Sequence, residues 1–183
     1  MRIRPPFFIF AKQRILRHRM KEKKYLLGMT LNELKDVVAE AGLPAYAAKQ
    51  IADWLYKKKV VSVSEMTNIA VAKRDWLGEH YEVGAMPPSD LMKSVDGTIK
   101  YLFPAGKGHY VESVYIPTGD RATLCVSSQI GCKMNCLFCM TGKQGFTANL
   151  ASNQILNQIQ SLPENEKLTN LVFMGMGEPL DNV

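Results

Sequence analysis

The sequence predicts an α+β to α/β chain: a small all-helical unit, then a β-hairpin, then the start of a parallel sheet. Three observations predict this. Residues 27–85 carry apolar side chains at helical spacing, with capping signals at their ends. The pattern changes at Met86-Pro87-Pro88 to short strand-like runs on either side of Asp96-Gly97. The last third then reads strand, loop, helix, strand, the order of a βαβ unit.

Taken in order, Thr30-Leu31-Asn32-Glu33 is a capping box, in which the Thr hydroxyl accepts from a free N–H and Glu33 reaches back. Leu34, Val37, Val38 and Ala41 follow at helical spacing, and Gly42 suits the stop. Pro44 opens the next element. There Ile51, Trp54 and Leu55 share a face, and Lys57, Lys58 and Lys59 suit a helix C-terminus. A third helix is expected over Val71–Tyr81, with Trp76 and Leu77 as core. Leu91–Val95 and Thr98–Phe103 flank Asp96-Gly97, the strongest short hairpin signal. His109–Ile116 and Ala122–Ser127 read as strands, and Leu150–Ser161 as a helix with Ile155, Leu156 and Ile159 on one side. Leu168–Met174 reads as an apolar strand buried on both faces. The expected units are therefore 1–26, a disordered basic extension; 27–85, the helical unit; and 86–183, the strand-rich part.

Composition narrows the classes. The chain has 183 residues, 46% hydrophobic and 22% charged, which excludes a disordered chain and allows a real core. It is too short for a complete eight-unit βα barrel. No uncharged apolar run approaches a membrane span. The net charge of +6 is unevenly placed. Residues 1–24 hold nine basic residues and one acid, and the remainder has 14 basic and 16 acidic residues. Two readings of this arm stay open: a solvated leader, with Met20 or Met29 as another start, and a nucleic-acid contact. Lys49, Lys57–Lys59, Lys73 and Arg74 are likewise either a basic patch or a solvated helix face.

All four cysteines fall in one window: Cys125, Cys132, Cys136 and Cys139. A secreted disulfide scaffold would spread them out, and no credible signal peptide precedes them, so a cytoplasmic metal or cluster site is favoured. Cys132-Lys-Met-Asn-Cys136-Leu-Phe-Cys139 is C-x3-C-x2-C, a spacing that wraps one corner of a metal centre from one loop. Four thiolates are usual for a 4Fe–4S cluster, and three leave one iron open to a ligand. The competing reading is structural zinc on all four cysteines, although zinc prefers two separated knuckles. Cys125 alone reads equally as a buried strand-end residue, and Glu112 as a surface strand residue.

The C-x3-C-x2-C loop after a strand resembles the radical S-adenosylmethionine (SAM) superfamily. Gly175-Met-Gly-Glu-Pro179, after the apolar strand, is similar to that superfamily's Gly-Gly-Glu-Pro segment. Cys125-Val-Ser-Ser-Gln-Ile-Gly-Cys132, Thr141-Gly-Lys-Gln-Gly-Phe146, Asp96-Gly-Thr-Ile-Lys100, Val114-Tyr-Ile-Pro117 and Trp54-Leu-Tyr56 closely resemble the RlmN type of radical SAM RNA adenine methyltransferase. The resemblance runs from about residue 27 to residue 183.

That resemblance implies the first part of a partial (β/α) radical SAM barrel, preceded by the hairpin and by an RNA-binding helical domain. It implies a 4Fe–4S cluster on Cys132, Cys136 and Cys139, with SAM at the open iron. Gly177, Glu178 and Pro179 would contact the SAM amino group, and Phe138 would lie near its adenine. The implied reaction methylates C2 of adenine in 23S rRNA and tRNA through a methyl-cysteine. Glu112 would be the proton acceptor and Cys125 the thiol that resolves the protein–RNA crosslink as a disulfide. The implied partners are these RNAs and a flavodoxin-type electron donor, in the cytoplasm. Methylation at adenine C8, a zinc-bearing RNA-binding module and a catalytically dead binding domain are the alternatives. The methyl-carrying cysteine of the family has no counterpart after Cys139. The chain is therefore expected to be an incomplete, inactive piece that self-associates over an open sheet edge.

Overall fold

A computed structural model describes residues 23–183. Of the basic extension, residues 1–22 lie outside the described part. Residues 24–26 depart from the sequence reading, because they belong to the helical unit. Strand β1 (Lys24–Tyr25) opens that unit. Helix α1 (Leu31–Glu40) follows, and its N-terminus carries the expected capping box. The Thr30 amide donates to Glu33 Oε2 at 2.6 Å, and the Glu33 amide donates to Thr30 Oγ1 at 3.4 Å. Leu34, Val37 and Val38 point into the core, as their spacing requires. Gly42, at φ +61°, makes the turn out of the helix. Helix α2 (Ala47–Ala52) widens into one π-helical turn at Asp53–Lys57, which still buries Ile51 and Leu55 together. Helix α3 (Val71–His80) buries Leu77, while Trp76 is half-buried and stacks on His80 at 4.1 Å between centroids.

The unit is not all-helical. Strand β2 (Tyr81–Glu82) pairs in parallel with β1, and Leu26 and Leu27 continue the ladder onto Glu82 and Val83. Leu26 is wholly buried. The basic run that surrounds Lys24 in the sequence hides this short strand.

Strand β3 (Asp90–Lys93) and strand β4 (Ile99–Gly106) form the expected antiparallel hairpin, and Asp96 accepts from the Thr98 amide at 3.0 Å in its turn. A second hairpin joins β4 to β5 (His109–Thr118), and β6 (Arg121–Cys125) pairs antiparallel with β5. The cysteine segment is more structured than a loop. It holds β7 (Gln129–Gly131), the short helix α4 (Met140–Lys143) and β8 (Phe146–Asn149), with β7 and β8 antiparallel. Helix α5 (Ser152–Gln160) then leads to β9 (Asn170–Val172), which lies parallel to β6. The βαβ unit is thus present, and the sheet order is β3-β4-β5-β6-β9.

The sheet has two unlike faces. Ile99, Tyr101, Phe103, Val111, Tyr115 and Leu124 face α5 and are buried. Lys100, Leu102, Glu112, Val114 and Cys125 alternate onto the other face, which is more open. The expected double burial of Leu168–Met174 does not hold. Only Asn170–Val172 pair, Phe173 is half exposed and Met174 is 80% exposed. The reason is position: β9 ends the strand order, so no described strand covers its outer edge.

The helical unit is fixed to α5. Asn157, almost fully buried, accepts from the Met86 amide at 2.7 Å and donates to the Met86 carbonyl at 2.8 Å. Lys59 donates to Asn165 Oδ1 at 2.5 Å and pairs with Glu166. Gly28 lies so near Asn153 that a Cβ would stand 2.6 Å from the Asn153 amide nitrogen.

Candidate active site at the strand ends

Both sequence motifs leave the C-terminal ends of neighbouring parallel strands, where βα folds place their working groups. The cysteine segment follows β6, and Gly175–Pro179 follows β9. The two loops are stitched together. The Gly175 amide donates to the Val126 carbonyl at 3.1 Å, and the amides of Ser128 and Gln129 both donate to the Met176 carbonyl, at 2.9 and 3.1 Å. The Ser127 hydroxyl accepts from the Met176 amide at 2.8 Å and donates to the Glu112 carbonyl at 2.6 Å. The Gln129 side-chain oxygen accepts from the Glu178 amide at 3.0 Å. Gly177, at φ +100°, allows this approach, since a Cβ there would stand 2.5 Å from Gln129 Cβ.

Behind these loops lies Gln158, which is fully buried. Its oxygen accepts from the Ser113 hydroxyl at 2.7 Å and the Ser127 amide at 2.9 Å, and its nitrogen donates to the Ser127 carbonyl at 3.0 Å. Every hydrogen-bonding group in this buried chain has a partner, which makes it rigid. Ser127, Gln129 and Lys133 lie inside the cysteine motifs without a role of their own in the sequence pattern, and nothing in the sequence singles out Gln158 or Asp181. The one signal was a polar run, Ser127-Ser128-Gln129, directly after a buried strand.

Glu112 and Cys125 share the open face of the sheet. Val114 is the register partner of Cys125, and Glu112 lies two residues along the same strand. Glu112 is half-buried and pairs with Lys100 at 3.0 Å. Burial pushes the Cys125 thiol up, and a hydrogen bond from the Met174 amide partly offsets this. Glu178 is half-buried, and one of its carboxylate oxygens accepts from the Leu180 amide at 3.0 Å. Gly177 and Pro179 flank it, both half-buried. Phe138 is 92% exposed and is not a core residue.

The three loop cysteines are unpaired thiols, Cys136 exposed and the other two half-buried. Hydrogen bonds from the Gly142 and Thr141 amides hold the Cys139 thiol below its usual range. Among the described residues, no three His, Cys, Asp or Glu side chains converge on one point as a single metal ion would need. A cluster takes one thiolate per iron, so convergence on a point is not its requirement. Three soft thiol ligands on one accessible loop, with Cys125 turned to the sheet face, fit an iron–sulfur cluster with one iron left open.

The basic residues of the helical unit are largely engaged. Lys57 pairs with Asp53 at 2.8 Å, Lys58 lies 3.3 Å over the Trp54 ring, and Lys73 and Arg74 donate to the Ala41 and Ser64 carbonyls. No described helix is long and apolar enough to cross a membrane.

Comparison with known proteins gives first a class. A solved structure described as a radical SAM methyltransferase from Sphaerobacter thermophilus superimposes with a TM-score of 0.79 at 36% identity, over 87% of this chain and 48% of that one. Residues 24–83 match the ribosomal RNA large subunit methyltransferase N-terminal domain. Curated relatives described as probable dual-specificity RNA methyltransferase RlmN match at 76% identity in Parabacteroides distasonis and 64% in Bacteroides thetaiotaomicron, each over 90% of this chain. The chain is thus similar to RNA methyltransferases of the RlmN type over 90% of its length, with the N-terminal domain of that type matched at residues 24–83. It spans about half the length of these relatives, 48% in both cases.

Proposed function

We propose that this chain supplies the cluster-binding and RNA-facing portion of a radical SAM methyltransferase acting on C2 of adenine in 23S rRNA and tRNA. The observation that carries the reading is the junction of the two strand-end loops: three free thiols on one, Glu178 on the other, and direct hydrogen bonds between them. On this reading the sheet is the opening part of a partial (β/α) barrel, and residues 24–85 are the RNA-binding accessory domain.

Cys132, Cys136 and Cys139 would hold three irons of a 4Fe–4S cluster and leave the fourth open to SAM. When bound, the cluster would supply one-electron reductive chemistry toward SAM, its electron coming from the proposed flavodoxin-type donor. Glu178 offers charge, and Gly177 and Pro179 offer backbone shape, to the SAM ammonium. Glu112 takes the proton released at the adenine ring, and its place on the open sheet face suits that task. Cys125, on the same face, would provide the thiolate that attacks the sulfur of a second cysteine, so that the S–S bond forms as that sulfur's bond to the RNA-linked carbon breaks and the electron pair leaves with the carbon. The proposed partners are the two RNAs and a flavodoxin-type electron donor in the cytoplasm, with self-association over the β9 edge when nothing else pairs there.

The test is anaerobic reconstitution with iron and sulfide. Uptake of four irons per chain and an iron–sulfur absorbance spectrum, both abolished by Cys136→Ala, is the expected result. Colourless protein carrying one zinc would sink the cluster. Analysis of the modified base in RNA separates C2 from C8 methylation.

A further inference from the structure

The turn after Glu178 is tied to the cysteine loop by a carboxylate with no part in the proposed chemistry. Asp181 lies at the end of the 3-10 turn Pro179–Asp181. One of its oxygens, Oδ2, takes two partners at once: Lys133 Nζ at 2.9 Å and Gln129 Nε2 at 2.8 Å. Lys133 sits between Cys132 and Cys136, and also lies 4.4 Å from the Phe146 ring centroid. Gln129 is fully buried, and its other side-chain atom holds the Glu178 amide. Asn182 adds to the grip by donating to the carbonyls of Ser128 and Leu150, at 2.8 and 2.9 Å.

A surface ion pair alone does little. This one differs because the same oxygen is anchored to a buried amide, so Lys133 is drawn toward a fixed point. The anchor on Gln129 also fixes Glu178. The cysteine loop and the Glu178 turn are therefore referred to one side chain. We propose that Asp181, with Gln129 and Lys133, forms a positioning clamp that sets the span between the thiol loop and the end of the site that receives the SAM ammonium. The clamp deepens the function proposed above and rests on it.

The experiment has two arms on the same chain. In the cofactor-free protein, Asp181→Ala should speed amide hydrogen exchange in residues 132–139 and 178–182 together, by about tenfold, the scale of one lost charge-assisted hydrogen bond. Lys133→Met should do the same, and Asp181→Glu should restore part of the protection. Faster exchange confined to residues 181–182 would overturn the clamp. In the iron-loaded protein, Asp181→Ala should leave iron content unchanged, weaken SAM binding about tenfold and diminish the SAM-induced change in the electron paramagnetic resonance spectrum. Unchanged SAM affinity would overturn the positioning role. If the unaltered chain takes up no iron, or its cluster ignores SAM, the fault lies with the proposed function, and the coupled exchange still decides the clamp.

Discussion

The helical unit and the strand-end loops are held by different forces. In the helical unit, Leu34, Val37, Ile51, Leu55, Met66 and Leu77 share an apolar core whose attraction has little direction. At the strand ends, Ser127, Gln129 and Gln158 are just as buried, yet they are polar and fully hydrogen-bonded. An apolar core tolerates small shifts and substitutions of similar volume. A polar network does not, because each bond has a length and an angle. The contrast fits their proposed tasks. A binding unit needs to stay folded, whereas a site needs its groups at set distances.

Substitutions can break this contrast or sharpen it. The largest effect is expected at Gly131, where a Cβ would stand 1.8 Å from the Gly145 carbonyl oxygen and φ is +77°. Gly131→Ala should open the β7–β8 hairpin at a cost of roughly 4 kcal/mol or more, seen as lost exchange protection there while the helical unit keeps its own. Leu34→Ala should destabilise by about 3 kcal/mol in urea unfolding, with the loss spread over the whole helical unit. Gln158→Leu keeps volume but strands the Ser127 amide and carbonyl and the Ser113 hydroxyl. It should cost about 2–3 kcal/mol, and an apolar replacement that proved neutral would erase the contrast. Thr30→Ala removes one capping bond and should cost about 1 kcal/mol.

The smallest effect is a pH dependence. The hydrogen bond from Lys133, then that from Gln129, hold the Asp181 carboxyl below its usual range. A folded-state value below the unfolded one stabilises the protein above the unfolded value. That stabilisation is lost as pH falls through the folded value. Protection factors of residues 178–182, taken relative to the intrinsic exchange rate at each pH, should therefore fall on acidification below the ordinary carboxylate range, and Asp181→Asn should flatten the response.

Local signals were legible in the sequence because their partners are near neighbours. Thr30 and Glu33 are three residues apart, and the Asp96-Gly97 turn sits between its own two strands. The C-x3-C-x2-C loop and the Gly-Glu-Pro turn were legible as spacing. Pairings at long range were not. Nothing near Lys24 announces a strand whose partner is Tyr81, and nothing near Gln129 announces Asp181, 52 residues on. The apolar run around Leu171 looked doubly buried because hydrophobicity records what a strand can bury, and its position in the sheet decides what it does bury.

Asn157 and Gln158 are consecutive residues of α5, about 100° apart around its axis. The first holds the Met86 backbone at the edge of the helical unit, and the second holds Ser127 behind the strand-end loops. The helix is thus an axle with a grip on each side. Two neighbouring residues of one helix therefore hold the helical unit on one side and the strand-end loops on the other, with no linker between the two points of attachment.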